Sequence, residues 1–153
     1  MKDDKMADLV WIYAEGVCDL FHAGHVEFFR QARLLGDRLV VGLISDADTS
    51  TYKPAPILNH AERLAVVRAC RHVDRVLDVP APLRTTCAFL DSIGADFCCH
   101  GDDMDTKELA RWYGDLMPAG RLKVVKYSSA ISSRAIIERV SDRLREGTLR
   151  RQA

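Results

Sequence analysis

Glu15-Gly16-Val17-Cys18-Asp19-Leu20-Phe21-His22-Ala23-Gly24-His25 stands between an apolar run, Leu9-Val10-Trp11-Ile12-Tyr13, and a segment over 26–35 that reads as a helix. It is therefore the turn from a first strand into a first helix. Two histidines three apart fall where helix amides point outward without partners. Such a terminus attracts anions through those N–H groups and the positive end of the helix dipole. Gly24 has no Cβ, so a polyanion can come close to the main chain. Imidazoles placed here donate hydrogen bonds to phosphate oxygens. Gly16, Val17, Cys18 and Asp19 complete the candidate anion turn.

Outward from this turn, strand-like and helix-like segments alternate. The expected strands are 9–15, 38–44, 75–79, 95–100 and 122–127, several of them nearly continuous apolar runs, as parallel strands covered on both faces require. Asn59-His60-Ala61-Glu62 carries a cap residue with an acid three later, the start of a helix. Thr85 to Ser92 is a shorter helix. Asp105-Thr106-Lys107-Glu108 opens another, running towards Met117. Ser132 opens the last, with Ile136, Ile137, Val140 and Leu144 as its apolar stripe. The alternation predicts an α/β, Rossmann-like parallel sheet of about five strands in one domain over 1–146, with 147–153 a polar tail or linker stub. Ligands of such sheets bind at the carboxyl ends of strands, where the strand order reverses. The opening turn, His100-Gly101-Asp102-Asp103 and the segment 128–133 all fall at such ends.

Composition narrows the partners. The chain has 153 residues, 22 basic and 22 acidic, and no formal net charge. Nothing in that balance suggests nucleic acid. No stretch approaches the roughly 20 apolar residues of a membrane span. The N-terminus is charged and lacks a signal-peptide core. Five cysteines, an odd number mostly inside apolar runs, fit free thiols in a reducing cytoplasm. Cys98 and Cys99 are adjacent and point to opposite faces of a strand, which argues against a zinc site there.

The His-x-Gly-His pair preceded by Asp19 resembles the signature of the cytidylyltransferases. So do Asn59-x-x-Glu62-Arg63, Cys70-Arg71-x-Val73-Asp74, 96–103 and Ile131-Ser132-Ser133, in the order found in choline- and ethanolamine-phosphate cytidylyltransferases. The similarity runs from about Leu9 to Val140, and motif order over a whole domain is more specific than any single motif. The resemblance implies a nucleotidylyltransferase that moves CMP from CTP to a small phosphorus acid and releases pyrophosphate. His22, His25 and Lys53 would be the catalytic groups. Gly16, Val17, Cys18, Asp19, Gly24, Arg63, His100, Asp102, Ser128, Ile131, Ser132 and Ser133 would bind the nucleotide. Mg²⁺ would arrive with CTP, with no dedicated protein metal site. Lys53 lies in a long loop, 46–58, with Pro54 and Pro56 behind it, and would close over the triphosphate.

One position departs from the family. Its late motif begins with an arginine, and Tyr127 stands there in this chain. Lys126 and Arg134 are the substitutes at hand. Where choline-specific relatives carry a tryptophan after Ala-Pro, this chain has Pro80-Ala81-Pro82-Leu83-Arg84, which predicts an acceptor without a quaternary amine. Arg84, Trp112 and Tyr127 are the candidate acceptor contacts. The chain further resembles the cytidylyltransferase part of the bifunctional enzymes of fosfomycin biosynthesis. That implies 2-hydroxyethylphosphonate as acceptor and a phosphoenolpyruvate phosphomutase domain beyond the tail. Ethanolamine phosphate, choline phosphate and glycerol 3-phosphate remain alternatives, as does a nucleotide-binding module without turnover. A homodimer near Arg71 and Asp74 is expected from the same resemblance.

Overall fold

The structure is a computed structural model, and it describes residues 9–126 and 131–149. Five strands, β1 (Trp11–Gly16), β2 (Arg38–Leu43), β3 (Arg75–Val76), β4 (Phe97–Gly101) and β5 (Leu122–Val125), form one sheet in the order β3-β2-β1-β4-β5. Every pairing between these strands is parallel. Between and after them lie α1 (Ala23–Arg33), α2 (Asp46–Thr49), α3 (His60–Arg68), α4 (Cys87–Ile93), α5 (Thr106–Tyr113) and α6 (Ser133–Arg145). This is the α/β parallel sheet expected from the alternation of segments.

The core divides at the sheet. Ile12 and Ala14 point to one face, with Leu39, Val41 and Leu43, against Phe29 and Ala32 of α1 and Val67 of α3. Tyr13 points to the other, with Val40 and Cys98, against Leu90 of α4, Tyr113 of α5 and Leu116. Alternate strand residues face opposite layers, so both faces of β1 are apolar and Ile12, Tyr13 and Ala14 are fully buried. Because β1 pairs with β2 on one side and β4 on the other, the strand order reverses at β1 and a crevice opens at its carboxyl end.

Element bounds differ from the sequence reading by a residue or two in most places and by more in β3 and α5. β3 keeps only two residues of the expected five. The chain bonds Leu77 N to Val41 O, swings out through an exposed Val79, and returns where Ala81 N donates to Leu43 O. Pro80 has no N–H for the ladder and restricts the residue before it, which explains the gap. α5 stops at Tyr113, four residues short of Met117, with Gly114 as its C-cap. The segment 46–58 is not irregular throughout: it begins with the single turn α2, capped by Ser45 Oγ on Asp48 N at 3.0 Å. The expected caps Asn59, Asp105 and Ser132 all sit at their helix starts.

Candidate active site

The β1–α1 turn folds around its own histidines. His22 is the N-cap of α1, and its Nδ1 accepts the Gly24 N–H at 3.1 Å. His25 Nδ1 accepts the His22 N–H at 3.1 Å, which completes a reciprocal capping box made of two imidazoles. The ring centroids are 3.9 Å apart, and Phe21 stacks on His25 at 5.3 Å. A backbone donor on each Nδ1 means that neither nitrogen carries a proton, so the hydrogen of each neutral ring sits on Nε2. Burial lowers the pKa of His22. Burial also lowers His25, to about 4, helped by His22 and the Lys53 ammonium and opposed by Asp19. Both rings are thus neutral donors at neutral pH, held in direction by the helix they cap.

The turn itself is strained. Cys18 and Leu20 adopt φ of 55° and 47°, a left-handed conformation that costs energy for residues with a side chain. Arg63 holds it from beneath. Its side chain is fully buried and donates to the carbonyls of Leu58 at 3.1 Å and Ile44 at 2.9 Å, to Val17 O, and to Asp46 Oδ1 at 2.7 Å. The sequence places Arg63 at the nucleotide; in the structure its guanidinium bonds inside the protein, and it is not among the residues that line the cavity.

A cavity of about 800 Å³ opens over the turn. His22, His25, Gly24, Gly16, Val17, Cys18 and Asp19 line its floor, and Lys53 and Pro54 to Pro56 line one wall. Ser132, Ser133 and Arg134 line the opposite wall at the start of α6, and His100, Gly101 and Asp103 close it from the end of β4. Ser133 Oγ donates to Asp19 O at 2.6 Å, and Ser132 Oγ caps Ala135 N at 3.1 Å. Arg134 is exposed and bonds Glu138 at 2.9 Å, so it is the cation that stands at the cavity mouth on this side. Lys126 is absent from the lining, and Tyr127 and Ser128 lie outside the described residues.

On the far side of β1, Glu15 lines the same cavity. Its Oε2 accepts from the hydroxyls of Tyr13 at 2.9 Å and Thr85 at 2.8 Å. Burial raises the pKa of its carboxyl against these hydroxyls and the nearby His100. Among the described residues no lysine or arginine forms an ion pair with it. A buried carboxylate with only hydroxyl partners lacks the cation that would stabilise its charge.

Two of the expected acceptor contacts, Arg84 and Trp112, stand outside the cavity lining. Arg84 is exposed, with its guanidinium beside Gly114, and Trp112 packs on Tyr52 at 6.0 Å and under Arg111. Neither lines the cavity, although Thr85 of the same loop reaches β1 and bonds Glu15 there. Asp102 is also outside the lining, whereas Asp103 is in it. Ile131 reaches the site through its carbonyl, which faces Gly24. Sequence reading missed Glu15, Thr49 and Asp103. Glu15 alone had a signal: it sits two residues after Tyr13, on the same strand face, at the strand's carboxyl end. No group of three or more His, Cys, Asp or Glu among the described residues is arranged to hold a metal ion.

The family model described as cytidylyltransferase-like matches residues 13–139, a span that holds the whole crevice. The chain belongs to the cytidylyltransferase-like family. It is 37% identical over 133 residues to an ethanolamine-phosphate cytidylyltransferase of Dictyostelium discoideum, covering 84% of this chain and 36% of that protein. It is 35% identical over 135 residues to choline-phosphate cytidylyltransferase A of Homo sapiens, covering 86% and 36%. The chain thus spans about a third of the length of these family members. A solved structure, a lipopolysaccharide core biosynthesis protein from Thermoplasma volcanium, superposes with a TM-score of 0.63 at 26% identity, over 78% of this chain and 97% of that one. No helix among the described residues is long and apolar enough to cross a membrane.

Proposed function

We propose that the chain transfers CMP from CTP to a small phosphorus acid, with attack on the α-phosphorus and release of pyrophosphate. The observation that carries this reading is the pair of imidazoles locked as Nε2–H donors in one cavity with Lys53 and Arg134. Two fixed neutral donors beside two cations suit a transfer in which negative charge moves from the α-phosphate to the leaving pyrophosphate. His22 and His25 hold the α- and β-phosphates. Lys53 covers them from the strap, and the hydroxyls of Ser132 and Ser133 with the amides of α6 take the distal phosphates. Arg134 supplies the charge that the family's late arginine would bring. No enzyme nucleophile is needed, because the acceptor oxyanion attacks directly. Mg²⁺ comes with the substrate, held mostly by the triphosphate and water.

For the acceptor we favour a two-carbon phosphate or phosphonate with a primary ammonium, ethanolamine phosphate in the first place. The support is Glu15, a cavity carboxylate lacking a cation, together with the name of the Dictyostelium relative. A primary ammonium donates to a carboxylate, and the missing aromatic in the 80–86 loop matters less for it than for choline. The second reading is 2-hydroxyethylphosphonate, whose hydroxyl would donate to the same Glu15 carboxylate. A homodimer at the exposed Arg71, beside the edge strand β3, is part of the same proposal, checked by light scattering.

The deciding experiment supplies CTP and Mg²⁺ with one acceptor at a time and measures pyrophosphate. Turnover with ethanolamine phosphate above 2-hydroxyethylphosphonate, choline phosphate and glycerol 3-phosphate is the expected result. No pyrophosphate with any of them would leave only a nucleotide-binding module.

A further inference from the structure

Asp19 is an awkward neighbour for a triphosphate. It lines the cavity floor between the two cations and beside both histidines, where a free carboxylate would repel the ligand. Its oxygens are occupied instead. Oδ2 accepts the Ile57 N–H at 2.8 Å, and Oδ1 accepts the N–H groups of Leu58 at 2.9 Å and Leu20 at 3.1 Å. Arg63 grips the same point from inside, donating to the Leu58 carbonyl at 3.1 Å while it holds Val17 O of the cradle turn. One end of the strap is therefore tied to the cradle by its amides and by its carbonyl.

The other end is fixed too. Thr49 is buried, its hydroxyl donates to Ser45 O at 2.8 Å, and Lys53 N donates to Thr49 O at 3.0 Å. Between Lys53 and the clamped Ile57 lie only Pro54, Ala55 and Pro56. Two prolines with fixed φ leave such a short span little freedom. Moving the clamped end moves the lysine.

We propose that Asp19 and Arg63 act as one clamp that sets the reach of Lys53 over the cavity, both of them positioning residues that leave the phosphates to others. This rests on the reading of Lys53 as a triphosphate ligand. It gives a cavity carboxylate a task compatible with an anionic substrate.

A double-mutant cycle tests it. Asp19→Asn is measured in the wild-type and in the Lys53→Ala background, with KM for CTP and kcat read separately. If Asp19 acts through Lys53, the substitution raises KM for CTP about tenfold with Lys53 present and less than about twofold without it. Equal effects in both backgrounds overturn the proposal. Should Asp19→Asn not fold, Ile57→Pro removes one clamped amide from the strap side, leaves the cradle intact, and enters the same cycle. Hydrogen exchange supplies a readout that needs no turnover: the Leu58 amide exchanges faster in either variant, while the Gly24 amide under His22 keeps its rate. Unchanged exchange at Leu58 also overturns the clamp. Faster exchange at Leu58 without CTP turnover would instead locate the failure in the proposed reaction.

Discussion

His25 accepts the His22 amide through Nδ1 and lies under the ring of Phe21, so protonating it breaks a cap and puts a charge into a poorly solvated place. Its pKa falls from 6.5 to about 4 on folding. Between those values the unfolded chain binds the proton and the folded chain does not, so stability drops as pH falls through this window. The shift is equivalent to about 3 kcal/mol. Asp46, lowered below its ordinary 3.8 by the Arg63 hydrogen bond, loses its contribution only at still lower pH. Glu15, raised by burial, works with the opposite sign above its ordinary 4.5. Urea unfolding from pH 7 to 4 should therefore show a steeper loss of stability in the wild type than in His25→Gln, which has nothing to titrate there. Gly24 tests the partner ring. A Cβ at this position would stand 2.9 Å from His22 Nδ1 and 3.0 Å from Ile131 O. Gly24→Ala should lower kcat/KM about tenfold or more while Tm moves by a few degrees. The two histidines were legible in the sequence because the strand–turn–helix context fixes where they point. Arg63 was not: the spacing Asn59-x-x-Glu62-Arg63 marks a helix start but not the side of the helix that faces the protein.

α3 shows how an element carries such a residue. Asn59 Oδ1 accepts Glu62 N at 3.0 Å and Glu62 Oε2 accepts Asn59 N at 2.9 Å, so the first turn is fixed from both sides. That sets the rotation of the helix, and rotation decides that Arg63 points inward with Val67. Once inside, its guanidinium satisfies carbonyls from three separate segments, and its one carboxylate partner, Asp46, stays half-exposed. Arg63→Met keeps the apolar stem and removes every donor. It should destabilise the chain by about 3 kcal/mol, since unpaired buried carbonyls remain behind, and chemical denaturation measures that loss. A change below about 0.5 kcal/mol would mean that water replaces the guanidinium. Capping residues made the helix starts readable in the sequence. The end of β3 was less so, because Val79 is apolar and only the missing N–H of Pro80 breaks the ladder there.

The alternation of segments foretold the layered molecule, but strand order rests on pairings distant in sequence, such as Ile12 with Phe97, that no local pattern reveals. With β1 in the middle, the cavity straddles the sheet: His22 and His25 belong to the α1 layer, and Glu15 and His100 rise from the strand face that packs on α4 and α5. Of the expected acceptor contacts, Arg84 and Trp112 stand outside the cavity lining, and Tyr127 lies outside the described residues. The 80–86 loop follows the edge strand β3, yet its Thr85 reaches the crevice and bonds Glu15. A division of labour follows from the architecture. Substrate groups on the α1 side meet fixed donors, and those on the α5 side meet a carboxylate among hydroxyls and aromatic rings. Glu15→Gln keeps the size and the acceptor oxygen but abolishes the charge. With ethanolamine phosphate it should raise the acceptor KM about tenfold and leave KM for CTP within about twofold, because an ammonium loses a charge-assisted bond and the triphosphate loses nothing. With 2-hydroxyethylphosphonate the same variant should change the acceptor KM little, since the amide oxygen still accepts from a hydroxyl. Steady-state kinetics with both acceptors separates these outcomes, and a rise in KM for CTP alone would mean that the two layers do not divide the substrates in this way.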